Sequence, residues 1–103
     1  MDFEKLSLQF EKELLDKMYR AKMECKYNPS RFNQMLARHG GVATAKQLIE
    51  NGIRTGHTSD GYTTLFLCGR LDLTMEDSVC RPEYRKLFSE EEILYCSKLL
   101  EVK

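Results

Sequence analysis

Apolar residues recur every three or four positions through the first quarter of the chain: Phe3, Leu6, Phe10, Leu14, Met18, Ala21 and Cys25. That spacing keeps one face of a 3.6-residue helix apolar, and it predicts a long amphipathic helix over 2–26. Leu15 and Tyr19 widen the stripe. Glu13–Lys17 and Asp16–Arg20 are acid-first charge pairs four residues apart, each worth only ~0.2–0.5 kcal/mol on a helix surface. So long a stripe predicts core, and it also suits a dimer face.

Shorter periodic segments follow, each bounded by caps and stops. Asn28-Pro29 predicts the start of a helix over 29–39, with Asn28 as cap, Pro29 at the first helical position and Phe32, Met35 and Leu36 inward. Gly40-Gly41 ends it. A third helix over 42–50 buries Val42, Ala45, Leu48 and Ile49, closes at Asn51-Gly52 and leaves 54–59 as a polar loop. Ser59 or Asp60 caps a fourth helix over 61–68, with Tyr62, Leu65 and Phe66 inward and Gly69 as its stop. The link 70–73 leads to Thr74, which caps a fifth helix with Asp77 as the third residue of a shortened capping box. Pro82 lies beyond that helix. Ser89-Glu90-Glu91-Glu92 is a full capping box, flanked by Phe88 and Ile93 at staple positions, and predicts a last helix with Ile93, Cys96 and Leu100 inward. No strand alternation extends beyond four residues. The expected fold is all-α, a compact bundle of five or six helices in one domain over 1–103, with the long helix over 2–26 and a short-helix bundle over 28–100.

Composition sharpens this picture mainly by exclusion. The 103 residues are 42% hydrophobic and 31% charged, which suits a globular chain and argues against intrinsic disorder. Sixteen basic residues match sixteen acidic ones, so no whole-molecule field draws in nucleic acid or an anionic membrane. The middle of the chain, 27–58, nonetheless carries Arg31, Arg38, Lys46 and Arg54 against Glu50 alone. No apolar run approaches the ~18 residues that cross a bilayer, and the first twenty residues do not read as a signal peptide. A cytoplasmic location is expected, with no membrane partner. Cys25, Cys68, Cys80 and Cys96 lack metal-ligand spacing, so in a reducing compartment they read as small core residues, and no metal or cofactor is expected.

Four blocks, YNPSRFNQML (27–36), GGVATAKQLI (40–49), SDGYTTLFLCGRLDLTMEDSV (59–79) and LFSEEEI (87–93), together resemble a widespread family of small uncharacterised bacterial proteins. GRLDLT, at 69–74, is the most specific of them. The family commonly has tryptophan where this chain has Phe66, a change of core volume and not of chemistry. The resemblance implies a compact helical bacterial protein. It carries over no catalytic residue, cofactor or partner.

Candidate chemistry is sparse. Arg70, Asp72 and Asp60 form the leading binding constellation, with Asp60 and Arg70 at opposite ends of the fourth helix and too far apart to pair. On a structural reading, Arg70 holds carbonyls at the end of that helix and Asp72 accepts donors near the Thr74 cap. On a functional one, Arg70 is an exposed guanidinium that binds carboxylate or phosphate. His39 and His57 have no nucleophile legibly placed beside them, so no catalytic residue is assigned. The expected function is a non-enzymatic protein-interaction or regulatory module whose partner is a protein, a second copy of the chain included. The alternative is a nucleic-acid-binding module using a helix-turn-helix-like segment, 29–50, with Arg31, Arg38, Lys46 and Arg54 on phosphates. Two features weigh against it: the turn is short, and the second helix offers only Thr44, Lys46 and Gln47 for readout.

Overall fold

The computed structural model describes residues 3–101 and shows an all-α fold, with no strand among the described residues. Helix α1 spans Phe3–Cys25. It is followed by α2 (Ser30–His39), α3 (Gly41–Thr55), α4 (Asp60–Leu67), α5 (Met75–Val79) and α6 (Glu90–Leu100). Two 3-10 turns, Leu71–Leu73 and Pro82–Leu87, flank α5. The second of these goes beyond the sequence-based expectation: Pro82 does more than follow a helix, because it opens a new helical turn at its first position.

Phe10 lies at the centre of the main core. Its ring meets Tyr84 and Phe88 edge-on at 5.1 Å each. Leu14, Leu36, Ala45, Ile49, Val79 and Cys96 close around it. A smaller cluster of Met18, Ala21, Leu65 and Leu73 continues the core along α1. The buried face of α1 is therefore Phe10, Leu14, Lys17, Met18 and Ala21. Leu15 and Tyr19, expected to widen that face, are exposed, and so is Phe3. A helix packed on one side by short helices buries only about a third of its circumference, and these residues lie beyond that arc.

Cap chemistry explains most of the boundaries. The Ser59, Thr74 and Ser89 hydroxyls accept from the backbone N–H groups of Tyr62, Asp77 and Glu92. At Ser89 the Glu92 carboxylate reaches back 2.8 Å to the Ser89 N–H and completes the box. At Thr74 the box stays half-made, because the Asp77 carboxylate is drawn to Lys17 and Arg81. Gly69, at φ 77°, takes the left-handed conformation after α4 and lets the Arg70 N–H reach the Leu65 carbonyl at 2.8 Å.

Two expected boundaries are corrected. Asn28 does not cap α2 through its side chain; its carbonyl accepts from the Ser30 N–H, and Pro29 precedes the helix. Helix α3 runs through Asn51-Gly52 and ends at Gly56, which is left-handed at φ 79°. Gly52 is a packing residue. A Cβ there would overlap the Tyr95 hydroxyl of α6 and lie 2.8 Å from the ring carbon Cζ. Glycine at this point lets α3 and α6 approach.

The cysteines also depart from expectation. Cys80 and Cys96 are thiols inside or beside the core, as small apolar residues should be. Cys25 and Cys68 are instead joined as a disulfide, Cα–Cα 6.3 Å, between the end of α1 and the residue after α4. A sequence separation of 43 carries no pairing signal, whereas the turn after α4 brings the two Cα atoms within bridging range.

Candidate functional site

Arg70, Asp72 and Asp60 do not converge. Arg70 donates from Nε and Nη2 to the two Asp72 carboxylate oxygens at 3.0 and 3.1 Å. Its Nη1 pairs with Glu24 near the end of α1. The guanidinium is thus shared between two carboxylates, which raise its pKa, while they themselves are held below the usual carboxylate range. The Arg70 side chain neither caps the α4 carbonyls nor stands open to a ligand, and Asp72 serves Arg70 in place of the Thr74 turn. Asp60 is exposed at the start of α4, on the rim of a cavity between the helices.

The basic set disperses as well. Lys46 donates to Glu92 at 2.8 Å and lies 5.3 Å from the centroid of the Phe88 ring. Arg54 donates to the Asn51 side chain at 2.7 Å. Arg31 and Arg38 stay exposed on α2. A single residue, Gly40, separates α2 from α3, so the joint is tighter than a helix-turn-helix turn.

Three features escape a residue-by-residue reading. The first is a polar network between α1 and the α5 region. Lys17 is 4% exposed. Its ammonium donates to the Thr74 carbonyl at 3.0 Å and to Asp77 at 2.9 Å. Glu13 accepts from the Ser78 hydroxyl at 2.6 Å and the Tyr84 hydroxyl at 3.0 Å, and it forms an ion pair with Arg81, Nε to carboxylate 3.0 Å. Burial lowers the Lys17 pKa against the pull of Asp77 and Glu13. Burial, and then the Glu13 contact, pushes the Tyr84 phenol up to about 12. The signal is present in the sequence: Lys17 falls on the buried arc, three residues after Leu14 and seven after Phe10.

The second feature is a cavity of about 360 Å³ lined by α1, α2, α3, α4 and α5. Its apolar wall includes Met18, Phe32, Met35, Leu65 and Met75, and its polar rim includes Tyr27, Asn28, Arg31 and Asp60. Glu76, on α5, also lines it while being only 3% exposed. Burial pushes the Glu76 carboxyl up to about 7; its own backbone N–H and the Lys17 charge oppose this only in part. No side-chain hydrogen bond or ion pair to Glu76 exists among the described residues. Its α5 neighbour Asp77 takes both nearby cations, Lys17 and Arg81.

The third feature is the outer side of α1. Leu8, Leu15, Tyr19 and Met23 are 59%, 46%, 64% and 63% exposed. At roughly 100° per residue they form one stripe, centred roughly 150° from the buried face. The helix therefore has two apolar faces. Among the described residues, no helix is long and apolar enough to cross a membrane. Comparison of the chain with protein-family models, with curated proteins and with solved structures finds no match.

Proposed function

We propose that this protein is a non-enzymatic protein-interaction or regulatory module, and that its docking face is the outer stripe of α1. The observation that carries this reading is the alignment of Leu8, Leu15, Tyr19 and Met23 on one exposed face. Scattered apolar residues are ordinary on a protein surface, but four aligned on one side of a long helix invite a partner helix. The partner is a second copy of the chain. Across 3–25, α1 carries five basic and five acidic residues, so two copies meet without net repulsion. The setting is a bacterial cell, as the resemblance implies. Nucleic-acid binding through 29–50 is the weaker reading, since Lys46 and Arg54 are engaged by Glu92 and Asn51.

Sedimentation velocity tests this across a concentration series. The wild type should show a reversible dimer, and Leu15→Asp with Tyr19→Asp should be a folded monomer with wild-type helical content and a Tm that no longer depends on concentration. A monomeric wild type at all concentrations would overturn the reading, as would a double variant that still dimerises. Phe10→Asp is the wrong probe, because Phe10 is fully buried and its loss would unfold the chain.

A further inference from the structure

Glu76 is the one buried ionisable group among the described residues that neither the core nor the α1 surface uses. A carboxylate removed from water without a partner is costly, and folds normally supply a cation or several donors. Here the nearest ammonium, Lys17, already holds the Thr74 carbonyl and Asp77. The other titratable groups near Glu76 are Tyr62 on α4, Cys80 just after α5, and Tyr95 and Cys96 on α6, none of which is cationic. Arg31 on α2, the cation of the cavity lining, makes no ion pair with it among the described residues. Glu76 therefore meets the cavity without a side-chain counter-charge.

The rest of the cavity suits a cation with an apolar body. Asp60 and Glu76 outnumber Arg31 among its charged lining residues, which disfavours an anionic guest. Met18, Met35 and Met75 supply a polarisable, adaptable wall, and Phe32 and Leu65 extend it. Tyr62 spends its hydroxyl on the Leu99 carbonyl at 2.7 Å, so its contribution to the lining is its ring. A volume of about 360 Å³ falls within the range of small-molecule sites, roughly 300–1,000 Å³.

We propose that this cavity is a binding site for a small organic amine, whose ammonium group pairs with the Glu76 carboxylate while its apolar or aromatic body packs on Met18, Phe32 and Leu65. The site is independent of the outer face of α1, so either reading can fail without the other. Binding requires the ionised carboxylate, so amine affinity should rise roughly tenfold between pH 6 and pH 8 as a group near 7 loses its proton.

The test is an amide-resolved NMR titration of the whole chain at pH 7.5 with phenethylamine, benzylamine and hexylamine, against phenethyl alcohol and phenylacetate. At least one amine should give saturable shifts at Met18, Phe32, Leu65 and Glu76, at least tenfold tighter than the alcohol and with no saturation by phenylacetate. Glu76→Gln should weaken the amine at least tenfold and leave the alcohol unchanged. Should the Glu76→Gln variant fail to fold, the comparison of amine with alcohol on the wild type still decides. Equal binding of amine and alcohol, tighter binding of phenylacetate, or no saturable shift with any amine would overturn the proposal.

Discussion

Lys17 and Asp77 lie 60 residues apart in sequence and 2.9 Å apart in space, and their contact fixes α5 against α1. The two partners are not equivalent. Asp77 has Arg81 in reserve at 3.3 Å, whereas Lys17 is buried and would keep only the Thr74 carbonyl and Glu13 at 3.8 Å. Asp77→Ala should therefore cost about 3 kcal/mol, the range for orphaning a buried charge. Lys17→Met, which removes the charge and keeps the volume, should cost less than about 1.5 kcal/mol. Urea midpoints of the two variants compare these directly; equal losses would mean that the uncompensated ammonium is not the dominant cost.

Gly52→Ala tests the close approach of α3 and α6. On helix propensity alone the change should gain about 1 kcal/mol. The overlap with Tyr95 reverses the sign, and a net loss of about 1–3 kcal/mol is expected. Adding Tyr95→Phe should recover part of it, since the hydroxyl is the nearest atom and Cζ remains at 2.8 Å. Thermal melts of the single and double variants measure both.

Glu76 makes stability depend on pH in a direction opposite to that of most paired carboxylates. Its folded pKa, about 7, lies above the ordinary value of 4.5, so between these two values the folded state retains a proton that the unfolded chain loses. Stability contributed by this group is present below about pH 4.5 and is lost as pH rises through 7, by about 3 kcal/mol in all. Glu76→Gln should flatten that slope and stabilise the fold above pH 7. A wild-type slope that persists in the variant would assign it to another group.

Reduction should loosen the end of α1. Cys25–Cys68 closes a sequence separation of 43, for which the loss of chain entropy in the unfolded state corresponds to about 4 kcal/mol. Dithiothreitol should lower the urea midpoint accordingly, and Cys68→Ser should reproduce the shift and abolish the response to reductant. Cys80 and Cys96 are not bonded, and burial raises both thiol pKa values, so they should react slowly with thiol reagents in the folded protein.

Local signals were legible in the sequence and distant ones were not. Ser59, Thr74 and Ser89 were readable as caps because the hydroxyl and the N–H it accepts lie three residues apart. The period of α1 revealed Phe10, Leu14, Met18 and Ala21 for the same reason. Asn51-Gly52 reads as a stop on local grounds, but Tyr95, 43 residues later, is what requires glycine there. Arg70 reads as either structural or open, because Glu24, 46 residues earlier, is invisible beside it in the sequence. The cavity followed the same rule: Glu76 reads as an ordinary first-turn acid of a capped helix, and only the packing of distant helices reveals that it is buried on a cavity wall.

The long reach of Glu13 has a consequence for synthesis of the chain. Its partner Tyr84 lies 71 residues later, and Phe10 waits slightly longer for the Tyr84 and Phe88 rings. At ~5–20 residues per second, a ribosome leaves α1 without those covers for roughly 4–14 s. During that interval the helix offers both apolar faces at once, the outer stripe and the bare inner one. The aggregation-prone form of this protein is therefore the half-made chain, and its yield in a cell should depend on what shields the first helix before the last turn of the fold arrives.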